Sequence, residues 1–170
     1  MKTKKLVSFR ILLLIITTSF LSCTQNSKAA ITEKTASKAI TETPEYFFLF
    51  PEVEKSFGYS HAVKIGNDIK ISRAESIDDK SNLMYAGSME QQMKNGYADL
   101  KKILKYYGCT FDDFIVENVF TTNMAEFIYV SGYMSLVYKR QFPIGTWFVV
   151  KGLTLPGRLI KIDMETHLTK

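Results

Sequence analysis

The sequence predicts one small α+β domain, a mostly antiparallel sheet with two helices on one face. Three observations support this class: short segments in which apolar and polar residues alternate, two longer segments with the apolar period of a helix, and a globular composition with 46% hydrophobic residues. A chain of 170 residues has enough apolar side chains for one core. We expect the domain to span residues 45–170, behind an export signal and a tether.

The first 22 residues have the layout of a cleavable signal peptide. Four basic residues and no acidic one precede an apolar run at 11–16, which is shorter than the about 20 residues that span a bilayer. The stretch ends in Phe20-Leu21-Ser22-Cys23, which resembles the lipobox of bacterial lipoproteins, where the cysteine is acylated and becomes the new N-terminus. We expect lipidation at Cys23; the alternative is an uncleaved anchor with an incidental cysteine.

Residues 23–44 are predicted to be the acylated cysteine and a flexible tether. The segment is mostly Thr, Ser, Ala, Lys and Glu, so burial of its few apolar side chains cannot offset the entropy lost on ordering. A coil of this length spans roughly 25 Å on average. The expected product is an exported domain, lipid-anchored to a bacterial membrane and facing the periplasm.

The net charge of +5 belongs mostly to the signal peptide. Without the four basic residues that precede Cys23, 18 of the 22 basic residues remain against 17 acidic ones, so the mature protein is near +1. Binding of nucleic acid requires a larger positive surface. We therefore expect no nucleic-acid partner, and contact with the membrane through the lipid anchor only.

The first half of the domain predicts three strands and a loop. The aromatic and aliphatic run Tyr46–Phe50, closed by Pro51, is typical of a buried strand. Residues 61–72 predict a hairpin, because apolar and polar residues alternate on both sides of Gly66-Asn67-Asp68. Residues 73–87 are polar and aperiodic, which indicates a long loop of the kind that often lines a site.

The second half predicts two helices and three strands. Ser88 with Gln91 predicts a capping box, and an apolar stripe then continues until Gly108 ends the first helix. The other predicted elements are a strand at 114–121, a helix opened by Asn123 with Glu126 and continuing through Val137, a short strand at 147–150, and an alternating strand at 159–166.

Few residues suggest reactive chemistry. If Cys23 carries lipid, Cys109 has no partner for an intramolecular disulfide, and we interpret it as a half-buried, unreactive thiol. His61 and His167 are far apart with no other candidate ligand at metal spacing, so no metal site is expected. The chain also shows no glycine-rich phosphate loop and no serine or cysteine nucleophile arrangement, and we predict no cofactor.

Several ordered motifs resemble the RidA family. They are Gly58–Asn67, Leu100–Gly108, Phe111–Met124, and Leu155-Pro156 before the final strand. The resemblance covers about residues 53–167, and it implies a RidA-like sandwich of the chorismate mutase-like kind. Family members are typically homotrimers with sites in the clefts between subunits. The best-known activity of the family is hydrolysis of reactive imines and enamines; some members were described as endoribonucleases, and others have no catalytic role.

The resemblance also implies site positions. In active members an arginine fork binds the substrate carboxylate, and a carboxylate positions water beside the imine carbon. Here the arginine position falls on Gly145, within Pro143-Ile144-Gly145-Thr146, and the acid position falls on Lys161. The catalytic residues therefore stay unassigned. The implied ligand-binding positions are Tyr59, Ser72, Arg73, Ser131, Gly145, Thr146, Trp147 and Lys161.

Three functions stay open from the sequence. The leading one is a homotrimer that binds a small molecule in its inter-subunit cleft, with ordinary imine deamination lost or reduced. The second is an active deaminase that binds the substrate carboxylate through Arg73 or Lys161, which are otherwise solvated cations. The third is a structural or interaction trimer whose clefts are filled by Trp147; that side chain is either a stacking platform or packing. Whether the protein is an enzyme is left open.

Overall fold

The computed structural model describes residues 42–169. The predicted signal peptide, Cys23 and nearly all of the predicted tether lie outside these residues. In the described range, none of the helices is long and apolar enough to cross a membrane.

The described residues form one mixed sheet of six strands. The strands are β1 (Glu45–Phe47), β2 (Ala62–Ile65), β3 (Asp68–Ala74), β4 (Phe114–Thr121), β5 (Ile144–Val149) and β6 (Ile160–His167). They lie in the order β1-β2-β3-β6-β4-β5. All neighbours are antiparallel except β4 and β5, which are parallel. The parallel pair arises because helical segments between β4 and β5 carry the chain back across the sheet.

The helices are α1 (Pro51–Phe57), α2 (Met89–Tyr107), α3 (Met124–Val130) and α4 (Met134–Val137), with short 3₁₀ turns at Phe111–Asp113 and Ser131–Tyr133. Helix α2 packs on β3 and β6, and α3 packs beside α2. The α+β class, with two helices on one face of a mostly antiparallel sheet, is confirmed.

The core lies between α2 and the sheet. The apolar stripe predicted for α2 is buried through Met93, Tyr97, Leu100 and Leu104. Alternate residues of the strands meet it, namely Ile69, Ile71, Val119, Ile160, Ile162 and Met164. Because strand side chains alternate in direction, the residues between these point to the opposite face of the sheet.

The ends of α2 agree with the sequence in part. Ser88 caps the helix and accepts a 3.4 Å hydrogen bond from the Gln91 N–H, and Gly108 ends it with a φ of 71°. Of the two bonds of the predicted capping box, the described part of the chain shows only this one. Within residues 42–169, the Gln91 side chain does not accept a backbone bond at the start of the helix. Instead, the Met89 N–H of the first turn donates a 3.2 Å hydrogen bond to the Glu126 side chain.

Two element predictions were wrong. The strand predicted at 46–50 ends at Phe47 and lies exposed at the sheet edge, and Pro51 begins α1. The signals for α1 are proline at its first position, two acidic residues in its first turn and a left-handed Gly58 after it. The helix predicted from Asn123 through Val137 is interrupted by the turn at Ser131–Tyr133. There the Ser131 hydroxyl donates to the Ile128 carbonyl, which competes with regular helix bonds.

Candidate functional site

The predicted site residues lie on both faces of the sheet. Lys161 alternates with the buried residues of β6 and therefore faces away from α2, as does Ser72 of β3. Trp147 pairs with the buried Val119 and packs its ring against Phe127 of α3, so it lies on the helix side. Within one chain, these residues do not form one cleft.

A β-bulge shapes the face away from the helices. The register between β3 and β6 shifts between Ile71 and Ala74, and Arg73 adopts a φ of 63°. The Ser72 Oγ and the Arg73 N–H both donate 2.9 Å hydrogen bonds to Asp163 Oδ1. The left-handed conformation costs an ordinary residue about 1–2 kcal/mol, which these bonds help to offset.

The acid beside Ser72 is Asp163. Lys161 pairs with this carboxylate. Its Nζ donates to Asp163 Oδ2 at 2.7 Å and lies 4.1 Å from the centre of the Phe120 ring. Residues two apart in a strand share a face, so Asp163 lies on the same surface as Lys161. This surface therefore carries an acid next to the base that occupies the position given by the resemblance.

Arg73 lies between an aromatic ring and a buried ion pair. Its guanidinium carbon is 4.2 Å from the centre of the Tyr59 ring, and its Nη2 is 3.9 Å from Glu75 Oε2. Arg158 pairs more closely with the same oxygen, at 2.6 Å. Burial raises the pKa of Glu75, against the opposing effect of Arg158 and Arg73. Arg73 and Lys161, the two candidate carboxylate anchors, thus have separate partners within one chain.

A depression of about 480 Å³ opens on this face. Tyr59, Ser72, Asn118 and Asp163 are among its lining residues. Thr146 of β5 lies opposite Asn118, whose side-chain oxygen accepts a 3.2 Å hydrogen bond from the Thr146 N–H. The depression is therefore lined by two carboxylates, Asp163 and Glu165, by the Lys70 ammonium, and by hydroxyls and aromatic rings.

A second cavity of about 390 Å³ lies on the helix side, beside the edge strand β5. It brings together three of the predicted positions, Ser131, Gly145 and Trp147. Its other lining residues include Glu117, Ser135 and Phe142. Trp147 is 45% exposed while its ring packs edge-on against Phe127, with centroids 4.9 Å apart. It packs on the core and borders the cavity at the same time.

Gly145 occupies a place where a side chain does not fit. A Cβ at this residue would lie 1.7 Å from the backbone oxygen of Glu117, its partner in the neighbouring strand. Any larger residue requires β5 to move away from β4. The arginine that the family resemblance expects here is thus absent, and so is the space for its side chain.

Glu117 is the residue that the sequence analysis missed. It is 2% exposed, and its Oε1 accepts a 2.9 Å hydrogen bond from the Tyr97 hydroxyl. Its Oε2 accepts a short one from the Tyr138 hydroxyl. Burial raises the pKa of Glu117 to about 7, against the opposing effect of the Tyr97 bond. The available signal was a charged residue on the same strand face as Val119, which the apolar pattern assigns to the core.

The remaining candidates are structural. Cys109 is buried, and burial raises its pKa to about 11, so a reactive thiolate is disfavoured. His61 is buried with its Nδ1 2.7 Å from Glu54 Oε1, whereas His167 pairs with Asp68 at the surface. Across residues 42–169 there is no group of three or more side chains arranged to hold a metal ion.

Comparison with known proteins places these features in a family context. A family model described as Endoribonuclease L-PSP matches residues 52–167. The Homo sapiens protein named 2-iminobutanoate/2-iminopropanoate deaminase is 26% identical over 101 residues, which cover 59% of this chain and 74% of that protein. The protein of the same name from Dermatophagoides farinae is 24% identical over 85 residues, covering 50% of this chain and 66% of the relative.

Solved structures show the same fold. A member of the YjgF/YER057c/UK114 family from Mycobacterium tuberculosis superposes with a TM-score of 0.64 at 19% identity, over 74% of this chain and 100% of that one. RidA from a Psychrobacter species superposes with a TM-score of 0.59 at 22% identity, over 65% of this chain and 88% of that one. At these identities the similarity establishes the architecture.

Proposed function

This chain belongs to the Endoribonuclease L-PSP family, which includes the RidA proteins, and from that premise we propose that its domain binds a small metabolite in a cleft between subunits, with the imine deaminase machinery of its relatives altered. The observation that carries the proposal is Gly145. Without an arginine fork at this position, the cavity beside β5 cannot hold a substrate carboxylate in the bidentate manner.

A homotrimer would bring the two surfaces that carry the predicted site residues together in one cleft. The Tyr59, Ser72 and Asp163 surface and the Trp147 cavity lie on opposite faces of one sheet, so a single chain cannot close them around one ligand. The edge strand β5 is exposed along its whole length. Ile144, Phe148 and Val149 are among its exposed apolar side chains. An uncovered apolar edge of this kind favours association with another copy.

Native mass spectrometry tests this proposal. The purified protein is expected to be detected as a trimer. Its mass should exceed that of the bare trimer by up to three bound small molecules. Asp163→Asn should weaken those increments, because it removes the carboxylate that orders Ser72 and Arg73. A monomer would contradict the inter-subunit cleft. A trimer with no increments in any preparation would favour a structural or interaction protein.

One observation favours a second candidate, an active imine or enamine deaminase. The face away from the helices keeps a carboxylate, Asp163, beside Ser72. The Arg73 side chain is 32% exposed, and in the described part of the chain its Nε has no hydrogen-bond partner, so we infer that this guanidinium receives the substrate carboxylate. A coupled deamination assay with wild type and Arg73→Gln tests this candidate, since loss of the anchor should raise KM.

We further propose that the domain is exported and lipid-anchored through Cys23, which lies outside the described residues. The support is the basic start of the chain, the short apolar run and the lipobox-like Phe20-Leu21-Ser22-Cys23. Reactive imines arise mainly in the cytoplasm, so this location argues against a housekeeping deaminase role.

A further inference from the structure

The polar side chains around the cavity beside β5 are hydrogen-bond acceptors. Glu117, which is 2% exposed, is one of its lining residues, and so are Ser131 and Ser135. The hydroxyl protons of the two serines are already donated, to the carbonyls of Ile128 and Gly132. Among the described residues that line this cavity, no side chain carries a positive charge.

The Glu117 carboxylate has capacity beyond its tyrosine partners. Tyr97 and Tyr138 each donate one hydrogen bond, to Oε1 and Oε2 respectively. An ionised carboxylate has about four lone-pair sites, so about two are left. A buried charge with incomplete compensation is costly unless it meets a cation or a further donor.

The aromatic residues of the cavity suit a cation as well. Trp147 and Phe142 both line it and keep 45% and 58% of their surfaces exposed. Tryptophan faces attract ammonium groups most strongly among aromatic side chains. The glycine at position 145 adds no side chain to this cavity next to Glu117.

We propose that this cavity binds a small organic ammonium, a primary amine on an apolar body, and discriminates against carboxylates. The proposal deepens the metabolite-binding function above and rests on it. The Glu117 carboxylate receives the ammonium protons, the two serine oxygens supply further acceptors, and Trp147 and Phe142 cover the apolar body. The site thus has the opposite charge preference to an arginine fork.

Three isosteric probes test the charge preference: benzylamine, benzyl alcohol and benzoate. The full chain is reconstituted in lipid nanodiscs and titrated by calorimetry, with empty nanodiscs as the blank. Benzylamine is expected to bind at least about tenfold more tightly than the other two, because only it forms a charge-assisted bond with Glu117. Glu117→Gln should remove that advantage. Glu52→Gln, which deletes an exposed carboxylate in the first turn of α1 and outside the lining of either cavity, is the control and should retain it.

Two further measurements keep the test decisive if Glu117→Gln fails to fold. Tyr138→Phe removes a hydrogen bond but keeps the carboxylate, so benzylamine should still bind. In the wild type, affinity for benzylamine should fall about tenfold from pH 8 to pH 6, as the carboxyl with a pKa of about 7 becomes protonated. Burial raises the pKa of Tyr97, which donates to this carboxyl, so that hydroxyl keeps its proton over this range.

The outcomes separate this inference from the function on which it rests. Tighter binding of benzoate would overturn the ammonium preference while supporting a metabolite site. Equal benzylamine affinity in wild type and Glu117→Gln would assign Glu117 a structural role only and overturn the inference. Binding of none of the probes would also overturn it, whereas the native mass increments would still decide whether the cleft holds a metabolite.

Discussion

Ser72 and Asp163 are joined by a 2.9 Å hydrogen bond from the Ser72 Oγ to Asp163 Oδ1, across the β3–β6 bulge. The same oxygen accepts from the Arg73 N–H, and the other carboxylate oxygen accepts from Lys161. One carboxylate therefore fixes three groups on the surface where the resemblance places ligand-binding residues. Its loss has consequences for both stability and binding.

Asp163→Ala is expected to lower the free energy of unfolding by about 1–3 kcal/mol, because three half-buried donors lose their acceptor. Urea denaturation measures the change. Glu165→Ala removes a carboxylate from the same strand face, but its partner Lys70 is largely exposed, so the expected change is within about 0.5 kcal/mol. Equal effects of the two variants would contradict the role of Asp163 at the bulge.

Gly145→Ala tests the close approach of β5 to β4. Its Cβ would meet the Glu117 backbone oxygen at 1.7 Å, so the strands must separate, and we expect a loss of about 1–3 kcal/mol in unfolding free energy. Gly132→Ala is the control, since a Cβ there meets nothing within 4 Å. If alanine at both positions left stability unchanged, the steric explanation for Gly145 would fail.

Glu117 makes stability depend on pH in an unusual direction. Its folded pKa of about 7 lies above the ordinary value of 4.5, so the folded state binds this proton more tightly than the unfolded state. The contribution is complete below the unfolded pKa and is lost as pH rises through the folded one, by up to about 3 kcal/mol. Urea denaturation at pH 5 and pH 8 should show wild-type stability falling relative to Glu117→Gln. A wild type that gains stability over this range relative to the variant would reject the assignment.

Cys23→Ala tests the lipid anchor. Cells fed a labelled fatty acid should incorporate it into the wild type and not into the variant, because no other residue in the lipobox-like segment carries a thiol. Cys109→Ala serves as the control and should keep the label, since that thiol is buried in the folded domain. Incorporation that is equal in wild type and Cys23→Ala would rule out acylation at this position.

Much of the fold could be predicted because its signals are local. The hairpin around Gly66, the α2 stripe and the alternation of β6 follow from side-chain periodicity within single elements. Helix α1 was missed because its seven residues are too few to establish a period, and only its capping pattern indicated it. The interruption of the second helix depends on one hydroxyl that bonds to its own backbone, which an apolar period does not reveal.

The site could be predicted less completely because it depends on contacts between strands. The resemblance gave Ser72, Gly145 and Trp147 as site positions, but the close approach of Gly145 to the Glu117 backbone exists only in the folded sheet. Glu117 itself was assigned to a strand with no role, since its two tyrosine partners come from α2 and from the segment after α4. The resemblance placed the family's acid position on Lys161, and the carboxylate that Ser72 contacts, Asp163, lies two residues later on the same face of the strand.

The most direct test of the altered machinery is a coupled assay of 2-iminobutanoate and 2-iminopropanoate hydrolysis, with the Homo sapiens relative as the reference. Loss of a bidentate arginine removes an interaction of about 1.5–3 kcal/mol, which lowers the rate about ten- to a hundredfold. We predict kcat/KM for this chain at least that far below the reference. Turnover equal to that of the reference would contradict the account and favour an active deaminase with Arg73 as its anion anchor.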